Sequence, residues 1–207
     1  ESARLFPHVQ GVIVASSDKA YGKLKRGTYK ETDSLKGDHP YEVSKSAADL
    51  ICTSYYKTYG TPVVVTRFGN IYGEGDLNYS RIIPGIMQTI ITGDVLDIRS
   101  DGTFIRDYLY VKDVAEGYIR CAKKINLIKG QAFNFGSPET LSVLALIKKI
   151  EKTLEISIPY TISNTAKNEI PYQSLNFKKE QRILGWKQKY SLKNTIPNIY
   201  SYYKTIL

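Results

Sequence analysis

Cysteine is scarce in this chain: Cys52 and Cys121 are the only two among 207 residues. They have neither a close partner nor the companion cysteines and histidines of a zinc site, so both read as buried or partly buried thiols and no metal centre is expected. Without a disulfide framework the chain suits a reducing compartment, and a cytoplasmic location is the expectation. Long apolar runs are missing as well. No stretch approaches the roughly eighteen residues of a membrane span, and Glu1-Ser2-Ala3-Arg4 is not a basic region leading into a secretory apolar segment. No membrane partner is expected. Zinc-finger spacing, a ribonucleoprotein aromatic motif and a dense arginine block are also lacking, so no nucleic-acid partner is expected either.

What is present is an ordinary folded composition, 42% hydrophobic, in a length that allows one domain or most of a domain plus a smaller lobe. The net charge of +9 is unevenly placed: residues 123–207 hold 14 Lys plus Arg against 5 Asp plus Glu, whereas residues 1–122 hold 15 of each. Two readings of this excess stand side by side, a field that favours an anionic ligand and a basic solvent face.

Residues 11–15 form a short apolar run that meets Ser16-Ser17-Asp18 and read as a strand ending in polar residues. Residues 1–6 read as the tail of a helix entering that strand. A polar loop through Pro40 precedes a helix over 41–58, where apolar positions recur every three or four residues until Gly60 and Pro62 stop it. Pro62-Val63-Val64-Val65-Thr66 is a β-branched run suited to a central strand covered on both faces. Strand, connection, helix and apolar strand make the crossover of a parallel sheet, so the fold class is α/β. Further helices are expected over 80–92, 111–124, 142–152 and 192–203, a strand over 132–135, and an irregular polar segment over 156–181.

Tyr41 and Lys45 form Y-x-x-x-K and fall one helical turn apart on the same face. An ammonium beside a phenol favours the phenolate, which can take a proton from a hydroxyl during hydride transfer. The spacing alone is weak, because such pairs also occur on solvated helix faces. Ser16-Ser17-Asp18 sits where a strand emits its loop, the usual ligand position of an open sheet. Either the serine donates to a substrate oxygen and the aspartic acid protonates a leaving hydroxyl, or both residues cap a turn.

Four segments extend these observations. Ser16-Ser17-Asp18-Lys19-Ala20-Tyr21-Gly22, Pro40-Tyr41-Glu42-Val43-Ser44-Lys45, Thr66-Arg67-Phe68-Gly69-Asn70-Ile71-Tyr72-Gly73 and Arg106-Asp107-Tyr108-Leu109-Tyr110-Val111-Lys112-Asp113-Val114 follow one another in the order seen in extended short-chain dehydrogenases/reductases. The chain resembles the NAD-dependent epimerase/dehydratase family of that superfamily, most of all the nucleotide-sugar 4,6-dehydratases. Ser17-Asp18-Lys19, with Gly75-Asp76-Leu77-Asn78 and Arg81-Ile82-Ile83-Pro84, is similar to the CDP-glucose branch. The dTDP-glucose branch usually has Asp-Glu where Asp18-Lys19 stands, and epimerases of the UDP-galactose type usually lack an acid there.

The resemblance implies the C-terminal portion of a Rossmann-like doubly wound parallel sheet plus a small mixed substrate-binding lobe. Residues 1–72 would complete the NAD-binding domain and 73–207 would form mainly the substrate lobe, with 103–125 returning to the first domain. It implies NAD as cofactor, a nucleotide-diphosphate sugar as ligand and a homodimer. Tyr41, Lys45, Ser17, Asp18 and Lys19 would be catalytic, and Tyr41, Lys45 and Ser16 would touch the cofactor. Lys19 holds the position of the base that removes the C5 proton. An ammonium cannot accept one, so Lys19 must act as the free amine, be replaced by another group, or stabilise the enolate by its charge. Asn70, Asn78, Arg81 and Arg106 would hold the sugar and diphosphate, Asn78 and Arg81 beside a helix start. Asp107, Tyr108 and Asp113 read as structural, the aspartates as caps of turns or of the following helix. Trp186 reads as core, and neither base recognition nor catalysis is assigned to 170–173 or 184–186. An epimerase or reductase of the same superfamily is the alternative function, and a noncatalytic binding fragment the second.

The glycine-rich G-x-x-G-x-x-G turn that approaches a pyrophosphate has no counterpart here. Gly69, Gly73 and Gly75 follow a late strand and lack that spacing. The intact protein is expected to carry that turn upstream and to be the enzyme, with the displayed chain inactive by itself.

Overall fold

The computed structural model describes residues 1–207 apart from residue 7, residues 24–26 and residue 168. A short helix α1 (Ser2–Leu5) leads to strand β1 (Val12–Ala15), and the chain then tightens into a 3-10 turn at Asp18–Tyr21. Helix α2 (Pro40–Tyr59) has Pro40 at its start, where a missing N–H leaves no bond unmade, and ends at Gly60 in the left-handed region with φ 68°. Next come β2 (Val63–Phe68), β3 (Asn70–Tyr72), α3 (Ile82–Thr92), β4 (Leu96–Ile98), β5 (Ile105–Tyr110), α4 (Val111–Lys123) and α5 (Ile125–Ile128). The remainder is β6 (Ala132–Phe135), β7 (Thr140–Ser142), α6 (Val143–Leu154), β8 (Tyr160–Ile162), α7 (Lys178–Leu184) and α8 (Leu192–Ile206).

The fold is α/β, and its main sheet is parallel in the order β1-β2-β6, with Val14 beside Val65 and Thr66 beside Phe133. The β-branched run thus becomes the middle strand, and every residue of β2 is buried. Side chains alternate across a strand, so β2 serves two faces. Val64 and Phe68 enter a cluster with Val114 and Cys121 of α4 and with Phe135, while Arg67 reaches Asp49 of α2. A helix therefore covers each face, and removing a valine such as Val64 fully from water contributes about 1.5–3 kcal/mol.

A second core lies where α3, α6 and α8 pack over β4 and β5, around Ile86, Met87, Leu146, Ile150, Ile199 and Tyr203. Here β3 runs parallel to β5, β7 antiparallel to β5, and β4 parallel to β8. The expected 62–66 strand starts at Val63 and runs on to Phe68, and Asn70 opens β3, where Tyr108 of β5 is its parallel partner. Residues 156–181 are not wholly irregular, since they contain β8 and most of α7. Asp113 does not cap its own helix. Its carboxylate accepts the backbone N–H groups of Lys189 and Tyr190 at 2.9 and 3.1 Å, joining α4 to a segment far along the chain. Trp186 is core as expected, 1% exposed, with its indole N–H donated to the Asp113 carbonyl at 2.9 Å.

Glu180 of α7 breaks the pattern of satisfied polar groups. It is fully buried, neither carboxylate oxygen has a partner among the described residues, and burial pushes its pKa up to about 9. A carboxyl raised in the folded state keeps a proton that the unfolded chain releases, so stability falls as pH rises from the ordinary carboxylate range towards 9. Replacing Glu180→Leu in the full-length protein is expected to raise the unfolding midpoint more at pH 9 than at pH 6. A series of urea titrations across that range measures it, and a uniform loss of stability at every pH would contradict the assignment.

Candidate functional site

The carboxyl end of β1 delivers Ser16 and Ser17 to the floor of an open cleft of about 1300 Å³ that Lys19 also lines, whereas Asp18, between Ser17 and Lys19 in sequence, is buried and is not among the lining residues. Ser17 caps the 3-10 turn, its Oγ accepting the Lys19 N–H at 3.3 Å, and donates its own proton to Asp18 Oδ1 at 2.9 Å. Capping and polar presentation, alternatives in the sequence, coexist in one residue. Asp18 is 2% exposed, and Lys19 Nζ donates both to its Oδ1 at 3.3 Å and to Asn70 Oδ1 at 3.1 Å. The turn closes at Gly22, whose φ of 74° and approach to the Lys36 carbonyl leave no room for a side chain.

Tyr41 and Lys45 stand one turn apart on α2, with Lys45 Nζ 5.7 Å from the centre of the Tyr41 ring. Lys45 Nζ donates to the Ala15 carbonyl at 3.0 Å, which pins the ammonium to the end of β1 and leaves it further donors for a ligand. Tyr41 is 55% exposed and lines the same cleft as Lys45 and Ser17. Ser16 binds back to α2, donating to the Lys45 carbonyl at 3.4 Å.

What holds turn, helix and sheet in register is a buried polar network that the sequence did not reveal. Arg67 donates to both carboxylate oxygens of Asp49 at 2.7 and 2.9 Å, and to the Tyr21 hydroxyl at 2.6 Å. Tyr21 donates in turn to Asn134 Oδ1 at 2.7 Å and stacks on Tyr29 with ring centres 4.5 Å apart. Ser46 of α2 donates to the Ala20 carbonyl at 2.7 Å.

The remaining expected ligand contacts divide. Asn70, Arg81 and Arg106 line the cleft. Asn78 is not among its lining residues, and its Oδ1 is occupied by the Ser80 N–H and hydroxyl at 3.1 and 2.6 Å. Arg81 is the N-cap of α3, held by Asp76 at 3.0 Å. Arg106 is 8% exposed, with Nη2 3.6 Å from Glu169; burial depresses its pKa, opposed by Asp18 and Glu169. Asp107 lies behind it, accepting Thr140 Oγ1 at 2.7 Å and the Leu175 N–H at 2.9 Å, and burial lifts its pKa to about 6.

The profile of the NAD dependent epimerase/dehydratase family matches residues 1–136, nearly two thirds of the sequence. The chain belongs to that family. Members among its relatives include a dTDP-D-glucose 4,6-dehydratase of Homo sapiens, 28% identical over 207 residues, covering 95% of this chain and 57% of the human protein. A trifunctional UDP-glucose 4,6-dehydratase/UDP-4-keto-6-deoxy-D-glucose 3,5-epimerase/UDP-4-keto-L-rhamnose-reductase of Arabidopsis thaliana is 28% identical over 204 residues, covering 91% of this chain and 28% of that protein. The solved dTDP-glucose 4,6-dehydratase of Bacillus anthracis in complex with NAD superposes with TM-score 0.84 at 27% identity, covering 93% of this chain and 61% of that one. UDP-glucuronic acid 4-epimerase of Bacillus cereus, solved with UDP-glucuronic acid and NAD, has TM-score 0.89 at 24% identity over 96% of this chain and 62% of its own, a likeness of fold. The chain thus spans less than two thirds of the length of these relatives.

The fold of this epimerase/dehydratase chain is therefore Rossmann-like, and the cofactor of its family is NAD. The cations lining the cleft among the described residues, Lys19, Lys45, Arg81, Arg99 and Arg106, all come from the charge-balanced first 122 residues. Among the described residues no helix is long and apolar enough to cross a membrane. Cutting Asp49→Ala leaves Arg67 as an unpaired buried charge, a change that typically costs about 3–5 kcal/mol. The expected result in the full-length protein is a correspondingly lower unfolding free energy, measured by denaturant titration; a loss below about 1 kcal/mol would show that Arg67 finds other partners.

Proposed function

We propose that the protein containing this chain is a nucleotide-sugar 4,6-dehydratase of the CDP-glucose type, converting an NDP-hexose to NDP-4-keto-6-deoxyhexose and water. The observation that supports it is the buried Asp18 carboxyl group in contact with Lys19, which lines the cleft together with Tyr41 and Lys45. An epimerase, the alternative, has no need of an acid at that place.

The Lys45 ammonium, with donors to spare, and the exposed Tyr41 phenol fit the ribose and nicotinamide end of NAD, and Ser16 stands beside them. When bound, NAD supplies the hydride acceptor for C4 and the hydride donor for C6. Tyr41, with the Lys45 ammonium beside it, takes the proton of the sugar 4-hydroxyl while Ser17, turning its single hydroxyl proton from Asp18 Oδ1, donates a hydrogen bond to the same oxygen. The 4-keto group makes the C5 proton acidic. Substrate covering the Asp18 and Lys19 pair excludes water and disfavours separated charges, so the ammonium passes a proton to the carboxylate across their 3.3 Å contact. Lys19 is then an amine able to take the C5 proton, and Asp18 an acid able to protonate the leaving 6-hydroxyl. In the elimination each group ends as it began; the Lys19 ammonium then returns a proton to C5 as C6 is reduced, and the proton that Tyr41 took from the 4-hydroxyl makes good the one spent. Asn70 orients Lys19 through their 3.1 Å bond, and Arg81 and Arg106 face the diphosphate.

Residues 1–72 belong on this reading to the cofactor domain and 73–207 mainly to the substrate lobe, with α4 packing back on β1 and β2. The expected homodimer is supported by the stripe Val43, Leu50 and Ile51, 47–58% exposed along α2, which a second copy would cover. The free thiols Cys52 and Cys121 accord with the cytoplasm.

Full-length protein incubated with CDP-, dTDP-, GDP- and UDP-glucose is expected to release water and form a 4-keto product with at least one of them, read by mass spectrometry. A C4 epimer without loss of water would select the epimerase instead. In the variants, Tyr41→Phe should lower kcat by roughly 10²–10⁴. Lys19→Met should abolish exchange of the C5 hydrogen with heavy water, while Asp18→Asn should stop water loss yet still form reduced cofactor on substrate addition; equal loss of all steps in both would refute the shared relay.

A further inference from the structure

Gln173 is 1% exposed, lines the cleft with Ser17, Lys19 and Arg106, and neither its Oε1 nor its Nε2 has a hydrogen-bond partner among the described residues. The other fully buried amide shows what a structural role looks like. Asn134 accepts from the Tyr21 hydroxyl at 2.7 Å and donates to the Tyr29 carbonyl at 3.0 Å, so both its ends are engaged. A primary amide offers two donors and two acceptor positions, and leaving them unmade in the interior costs free energy that an apolar side chain of the same size would avoid.

The amide cannot escape by backbone movement. Gln173 donates its N–H to the Ile105 carbonyl at 3.1 Å, Ile105 donates to the Pro171 carbonyl at 2.9 Å, and on the other side Tyr29 donates to the Ser174 carbonyl at 3.0 Å. The segment is clamped between β5 and Tyr29, and the side chain is presented to the cleft wall beside Arg106. An uncharged group that both donates and accepts matches an uncharged ligand group that does the same. The lysine and arginine side chains of this cleft serve an anion; a sugar hydroxyl is the complement of an amide.

We infer that Gln173 is a sugar-recognition residue, its amide exchanging hydrogen bonds with hydroxyl groups of the bound hexose. This rests on the reading of the ligand as a nucleotide sugar and adds a residue that the dehydration chemistry itself does not need. Gln173→Met keeps the length and volume of the side chain while removing its hydrogen-bonding atoms.

The test is calorimetric, on full-length protein with NAD bound, comparing CDP-, dTDP-, GDP- and UDP-glucose each with the matching nucleoside diphosphate. In the Gln173→Met variant the affinity for the glucose-bearing ligand is expected to fall on the order of tenfold or more, with the bare diphosphate unaffected and the ligand-free unfolding midpoint equal or higher. Unchanged affinity for the sugar, or a parallel loss for both ligands together with a lower midpoint, would overturn the assignment. A second measurement needs no variant: 2-deoxy- and 3-deoxyglucose nucleotides should bind the unaltered protein unequally to the parent sugar, and equal binding of both would also overturn it. These binding results are separate from turnover, so a protein that binds the sugar through Gln173 but forms no 4-keto product would sink the dehydratase reading alone.

Discussion

The doubly bonded contact between Asp49 and Arg67 is the constraint on which the cleft depends. Burying two charges is expensive, and such a pair adds specificity more dependably than net stability. Here the specificity is positional. Asp49 belongs to the helix that carries Tyr41 and Lys45, Arg67 to the strand that leads to Asn70, and Tyr21, the third partner, to the turn that carries Asp18 and Lys19. Hydrophobic packing alone is nondirectional and would tolerate small rotations of the helix over the sheet. A planar guanidinium satisfied by one carboxylate and one phenol tolerates far less, so side chains from three elements keep a common origin.

The cleft itself is built on the same economy. Its cations are each tethered by a neighbour, Lys19 by Asp18 and Asn70, Lys45 by the Ala15 carbonyl, Arg81 by Asp76, Arg99 by the Ser80 carbonyl and Arg106 by Glu169. Tethering reduces the conformational entropy that a long side chain would lose on meeting a ligand, at the cost that an incoming anion must compete with the acid already there. Selectivity for a ligand carrying more than one negative charge is a natural outcome.

Much of this was legible in the residues. The β-branched run at 63–65 and the three- and four-residue spacing over 41–58 encode period directly; the structure carries the strand on to Phe68 and lengthens the helix by one residue at each end. Four linked segments brought Ser17, Lys19, Tyr41, Lys45, Asn70 and Arg106 to one cleft, with Asp18 buried against Lys19. The short strands β3, β7 and β8 left no such trace, because three residues are too few to show alternation and their partners lie far along the chain. Asn78 stood beside a predicted helix start, yet a local bond to Ser80 captured its side chain, a competition that spacing cannot display. Arg67 with Asp49, the lone Glu180, and Gln173 all owe their meaning to neighbours or to the lack of them, and neither is written in a motif.

The clamp around residues 171–176 carries a further meaning for how this molecule is made. One wall of the cleft arrives about 150 residues after the floor laid down by Ser17, and it is fastened only when Tyr29 and Ile105 meet it. Such late, long-range closure is slow compared with the growth of local helices. During synthesis on the ribosome, the nascent protein would therefore display the floor around Ser17 and Lys19 as an open trough, and acquire this wall only when residues 171–176 emerge.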